Sequence, residues 1–258
     1  MITITNETFG NIPTLHVVKE EARKEKNLPT IFFLHGFTSA KEHNLHVAYL
    51  LAEKGFRVLL PDALHHGERE NQLDKQERDL AFWEIVLTSI RELEVLKITL
   101  EEKGLVTKEN IGVMGTSMGA ITLYGALTQY NWIQSAVSFM GTAYYEIFAS
   151  GLLSNVEQQG LTIEQQVKEK MFEQIKPFDL SGQLNKLEGR PLFIWHGTED
   201  KVVPYSLSQK LYSELAAEYD ETPWKLHFMT EETGHKVSRR AVLKSIEWLN
   251  QHLCKVSS

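Results

Sequence analysis

The 258-residue chain sets 27 Lys and Arg against 34 Asp and Glu, a formal charge of −7 near neutral pH. With no basic cluster to offset that balance, a nucleic-acid partner is excluded, because phosphate binding needs a positive face. The apolar share of 42% and charged share of 24% suit a soluble globular domain, and the one cysteine, Cys254, rules out an intrachain disulfide.

This length buries enough surface for a stable core without a disulfide or metal staple, so a single domain over 1–258 is expected. Residues Met1 to Gly10 have neither a positive start nor an apolar core, unlike a secretory signal. Apolar runs such as Ile31 to Leu34 are far too short to span a membrane. The expected setting is cytoplasmic. A homo-oligomer stays open.

In chain order, Ile2-Thr3-Ile4 and Leu15 to Val18 alternate apolar and polar residues, as an antiparallel edge would. Ile31 to Leu34 then reads as a buried strand ending at His35-Gly36, and Phe56 to Leu60 as a second, stopped by Pro61. Leu80, Trp83, Leu87, Ile90, Leu93, Leu96 and Leu100 recur at steps of three and four, the stripe of one long helix. Three further strands follow, at Ile111 to Met114, Ala136 to Met140 and Leu192 to Trp195, the first leading into a helix from Ala120 to Leu127. Between the last two, residues 142–190 hold no good strand. Ile163, Val167, Met171 and Ile175 there predict a helix, with Thr162 and Gln165 placed for a capping box. Leu226 to Met229 is the last strand, and Val242, Ile246, Leu249 and Leu253 mark a closing helix. Alternating strands and helices predict an α/β fold, with helices on both faces of a mostly parallel sheet and a helical insertion at 142–190.

Gly115-Thr116-Ser117-Met118-Gly119 matches G-x-S-x-G, in which a serine sits on a tight strand-to-helix turn. The glycines are there because side chains two residues either side would collide, and Ser117 becomes the candidate nucleophile. A serine hydroxyl needs a base poised near neutral pH. Of the histidines downstream, His227 falls in a strand, His252 on the last helix and His196 at a strand end. His235, in the loop after the last strand, is the candidate base. The loop after Leu192 to Trp195 offers Glu199 and Asp200; Asp200 is the candidate orienting acid, and Asp179 and Asp220 are weaker alternatives. An oxyanion needs two backbone donors: Met118, following the nucleophile, and Phe37, in the loop after the first buried strand. His35-Gly36 reads equally well as a plain strand-ending turn.

Taken in order, His35-Gly36-Phe37, Gly115 to Gly119, His196-Gly197-Thr198-Glu199-Asp200 and Gly234-His235 resemble the α/β-hydrolases. Within them the chain is similar to the dienelactone-hydrolase and prolyl-oligopeptidase-like branch, and most like its small bacterial carboxylesterases. Pro61 to Arg69 resembles the loop such proteins place beside the pocket. The resemblance implies an esterase with no cofactor, acting on a small-molecule ester. It departs from prolyl oligopeptidases in having no room for a propeller before residue 13, and from dienelactone hydrolases in having serine where they use cysteine.

Other readings stay in view. His43 with His46, and His65 with His66, raise the idea of a metal, yet no H-E-x-x-H or Cys cluster accompanies them, so none is predicted. His35 and His66 are candidates for contact with substrate. The insertion either packs on the core or caps the site, with Tyr144, Tyr145 and Phe148 lining an acyl or alcohol pocket. The same machinery would also serve a peptidase or thioesterase, and a non-catalytic binding protein is the remaining class.

Overall fold

A computed structural model describes residues 1–71, 73–107, 110–158 and 160–254. Eight strands form one sheet: β1 (Ile2–Phe9), β2 (Ile12–Lys19), β3 (Thr30–Leu34), β4 (Arg57–Pro61), β5 (Ile111–Thr116), β6 (Ser135–Phe139), β7 (Leu192–Gly197) and β8 (Leu226–Glu231). Their spatial order is β1-β2-β4-β3-β5-β6-β7-β8. β2 pairs antiparallel with β1 and β4, and every pair from β4 to β8 is parallel. The expected edge and parallel body are both present.

β3, β4 and β6 are buried along their whole lengths, and β5 up to Thr116, as strands covered on both faces must be. One face carries α1 (Leu45–Glu53) and α8 (Arg239–Leu253), whose Leu51, Ile246 and Leu249 pack with Phe33, Val58 and Phe193. The other carries α3 (Phe82–Glu102), α4 (Met118–Gln129) and α7 (Tyr205–Leu215), with Ile90, Leu96, Ile121 and Leu211 against Phe32, Val113 and Ile194. The chain runs from β3 outward to β4, then returns across β3 to β5. That reversal opens a crevice between the carboxyl ends of β3 and β5, where open α/β sheets place their sites.

Two expectations about helices change. The stripe from Leu80 is split: a short α2 (Lys75–Leu80), closed at its start by an Asp74–Glu77 capping box, ends before α3 begins at Phe82. Leu80 itself faces solvent, because the turn at Ala81 takes it off the buried stripe. In the insertion, α5 (Tyr145–Gln158) and α6 (Gln165–Ile175) are followed by short 3₁₀ turns through Leu187. The Thr162–Gln165 box is absent. Glu164 is the N-cap of α6 with no side-chain bond, so the helix starts too late for Thr162 to cap it.

Candidate active site

Ser117 sits where β5 turns into α4, at φ 52° and ψ −116°. This is a strained conformation for a residue with a side chain, costing on the order of 1–3 kcal/mol, and it persists only where the surroundings enforce it. They do so through the flanking glycines. A Cβ on Gly115 would lie 2.3 Å from the Gly119 carbonyl oxygen, and one on Gly119 would lie 2.1 Å from that of Leu34. Only bare backbone lets α4 start so close to β5 and β3.

The loops after β7 and β8 bring the other two candidates to the serine. A Cβ on Gly197 would lie 2.3 Å from the Thr233 carbonyl oxygen, and the Glu199 amide donates to that same oxygen at 3.0 Å. With the loops in register, His235 Nδ1–H donates to Asp200 Oδ2 at 2.6 Å, and the Ser117 hydroxyl donates to His235 Nε2 at 2.8 Å. The carboxylate can only accept, which fixes this tautomer. The Asp200 carboxyl is fully buried, whereas the imidazole is about one-fifth exposed (21%).

Asp200 has more partners than the sequence suggests. Its Oδ1 accepts from the amides of Val202 (2.8 Å) and Val203 (3.0 Å). Its Oδ2 lies 3.2 Å from Nε2 of the buried His196. Burial pushes the carboxyl up, but bonds from His196, His235 and Val202 prevail and hold it well below the usual carboxylate range. His196 Nε2 also meets the Val203 carbonyl at 2.9 Å, and its Nδ1 meets the Ser208 hydroxyl at 2.7 Å. Sequence reasoning left His196 as a strand-ending residue. Its place four residues before Asp200 was the available signal.

The loop after β3 lies against the serine: a Cβ on Gly36 would sit 3.5 Å from that of Ser117. Two histidines lock this loop to the one after β4. His35 Nε2 accepts from the Ala63 amide at 3.0 Å, and His66 Nε2 accepts from the Thr38 amide at 3.0 Å. Their Nδ1–H groups donate to the Gly36 and Leu64 carbonyls, each at 2.8 Å. Burial lowers His35 to about 4, and it lowers His66 as well. Both are neutral rings with each nitrogen committed to backbone, so the contact with substrate expected of them is replaced by a hold on the loop. Beside them, the buried Lys41 ammonium lies 2.6 Å from Asp62 Oδ2, 2.8 Å from Glu68 and 3.3 Å from Glu42. These three carboxylates approach closely enough to hold a cation, and Lys41 already supplies one.

Among the described residues, neither the Phe37 nor the Met118 amide donates to another protein group. Met118 is the first residue of α4, whose positive end favours developing negative charge.

Tyr144 and Tyr145 do not line an open pocket. Tyr145 is wholly buried, its hydroxyl donating to the Ile121 carbonyl at 2.5 Å, and Tyr144 is buried with its hydroxyl on Glu214. Tyr145 begins α5 and Tyr144 immediately precedes it, where packing on α4 and α7 claims the rings. Phe148 is buried too, against Phe82 and Trp83. Cys254 is half-buried, and burial raises its thiol, so it is no activated nucleophile.

Comparisons with known proteins show the family to which the chain belongs. Residues 91–255 match the model of the prolyl oligopeptidase family. YitV of Bacillus subtilis (strain 168), which carries an esterase name, is 48% identical over 256 residues, covering 98% of this chain and all of that protein. Esterase YjfP of Escherichia coli (strain K12) is 30% identical over 255 residues, with 98% and 100% covered. Among solved structures, TT1662 from Thermus thermophilus superposes with a TM-score of 0.77 at 21% identity, over 98% of both chains. No helix among the described residues is long and apolar enough to cross a membrane. With the fold, the strand order and a match over well over half its length in agreement, this α/β-hydrolase-fold chain belongs to the prolyl oligopeptidase family.

Proposed function

We propose that this protein is a carboxylesterase that cleaves small carboxylic esters through an acyl-enzyme on Ser117. One observation carries the reading: the unbroken hydrogen-bonded line Ser117 Oγ, His235 Nε2, His235 Nδ1 and Asp200 Oδ2, at 2.8 and 2.6 Å. The esterase names of YitV and YjfP favour the ester over the amide as substrate.

In this reading Ser117 Oγ attacks the ester carbonyl carbon while His235 takes its proton. Asp200 holds the imidazole and stabilises the imidazolium without accepting the proton. Charge builds on the carbonyl oxygen and is met by the amides of Phe37 and Met118, worth on the order of 3–4 kcal/mol per donor in such sites. The alcohol leaves with the proton from His235, and water activated by the same ring releases the acid. The neutral pair His35 and His66 acts at one remove, keeping the Phe37 amide in place. No cofactor enters any step.

The test is a panel of p-nitrophenyl esters, acyl thioesters and aminoacyl anilides, each with wild type and Ser117→Ala. Turnover of the esters at the highest kcat/KM, lost in Ser117→Ala, supports the reading. Preference for anilides would make it a peptidase, preference for thioesters a thioesterase, and no turnover of any class would point to a binding protein.

A further inference from the structure

Ser208 directs its hydroxyl out of its own helix. A serine within a helix commonly donates to the carbonyl four residues earlier. Ser213, also on α7, does so to Gln209 at 3.0 Å, and Ser150 and Ser154 on α5 do so to Glu146 and Ser150 at 2.8 and 2.9 Å. Ser208 is buried and instead meets His196 Nδ1 at 2.7 Å, with the Gly141 carbonyl at 3.2 Å as its other neighbour.

The hydrogens of this contact follow from what surrounds it. His196 Nε2 faces the Val203 carbonyl at 2.9 Å and Asp200 Oδ2 at 3.2 Å, and both of these only accept. Nε2 therefore carries the ring hydrogen, which leaves Nδ1 as an acceptor. The Ser208 hydroxyl has one proton and gives it to this nearer partner. Asp200 Oδ2 is thus reached by two hydroxyl–imidazole arms, Ser117 with His235 and Ser208 with His196. They differ in access: the His235 ring is partly exposed, whereas His196 and Ser208 are both buried. The second arm cannot touch a substrate. It can only hold the acid.

We propose that Ser208 is a positioning residue for the reaction at Ser117. By donating to His196 Nδ1 it keeps the ring turned so that Nε2–H stays on Asp200, and the acid in turn keeps the His235 imidazole aligned with the nucleophile. The inference rests on the hydrolase reading of the site and adds the group that supports its acid from behind. Among the described residues, Nδ1 of His196 has no hydrogen-bond partner besides Ser208. Without that hydroxyl the ring is free to turn and take Nε2–H off the carboxylate.

Two measurements test it. Ser208→Ala should lower kcat on a p-nitrophenyl ester about fivefold, the weight of one neutral hydrogen bond, with KM unchanged. Because the effect passes through the ring, His196→Leu and the double variant Ser208→Ala with His196→Leu should have the same kcat within about twofold. A role through the Gly141 contact, or through packing of α7, would not need His196, and the two losses would then multiply. Multiplied losses, a loss seen in KM alone, or a Ser208→Ala kcat equal to wild type each overturn the proposal. The second measurement needs no substitution at Ser208. Heteronuclear NMR of protein labelled at its histidine nitrogens, with the His196 signals assigned by their loss in His196→Leu, should show hydrogen on Nε2 alone, in wild type and in Ser117→Ala. A hydrogen on Nδ1 overturns Ser208 as the donor. Turnover that survives Ser117→Ala would overturn the hydrolase reading instead, and the His196 spectrum would still decide the second arm.

Discussion

His196 and His235 meet the same carboxylate oxygen, Oδ2 of Asp200, at 3.2 and 2.6 Å. With the Val202 and Val203 amides on Oδ1, both oxygens of the buried acid are held. Hydrogen bonds to a charged group contribute roughly 1.5–3 kcal/mol each. His196→Leu should therefore lower kcat about tenfold or more with little change in KM, since the base is then oriented by a looser acid. Steady-state kinetics on a p-nitrophenyl ester checks this.

The depressed pKa of Asp200 makes stability depend on acid. The unfolded carboxyl ionises near 3.9, the folded one below that. Stability from this group is complete above about pH 4 and is lost as pH falls toward the folded value. The stability difference between wild type and Asp200→Asn should shrink between about pH 4 and pH 2. Denaturant melts across that range would reveal it.

His35 works in a higher window. Its ordinary value of 6.5 falls to about 4 in the fold, so below pH 6.5 the unfolded chain takes up a proton that the folded ring refuses. Stability is full above 6.5 and drops as the pH falls to about 4, by on the order of 3 kcal/mol. His35→Gln should flatten that slope by about one proton. It should also cost kcat on esters by displacing the Phe37 amide. A slope identical to wild type would contradict the neutral-ring assignment.

Lys41 offers a test of the neighbouring ion pair. Removing one partner of a buried pair costs roughly 3–5 kcal/mol, because the other charge is left unpaired. Lys41→Met should lower Tm sharply, and Lys41→Met with Asp62→Leu should recover part of the loss. Calorimetry of the three proteins distinguishes this from a simple packing defect.

The glycines should divide by what their Cβ would meet. Gly119→Ala puts a methyl 2.1 Å from the Leu34 oxygen and should abolish activity or folding. Gly36→Ala brings contacts of only 3.5 Å, ordinary van der Waals distances, and should fold with a Tm near wild type. Expression and thermal melts of both report the outcome.

Much of this arrangement was legible in the residues. The runs at Ile31, Phe56, Ile111, Ala136 and Leu192 became strands because a buried parallel strand must be largely apolar, and the run at Leu226 became the edge strand β8, of which only Leu226 is buried. The elbow was readable because its glycines answer a local steric demand. What could not be read depends on contacts between distant segments. His35 and His66 look like free site histidines until the loops after β3 and β4 are seen side by side. Tyr144 and Tyr145 look like pocket residues until α5 buries them. The stripe on α6 carries the period of a packed helix, yet periodicity says only which residues share a face. It cannot say whether anything covers them.

The most direct measurement is covalent labelling with a fluorophosphonate, read by intact mass and peptide mapping. One adduct should form, on Ser117, and His235→Ala should slow its formation at least a hundredfold, since the hydroxyl then has no base. An adduct on another residue, or labelling of Ser117 at the same rate without His235, would contradict the account.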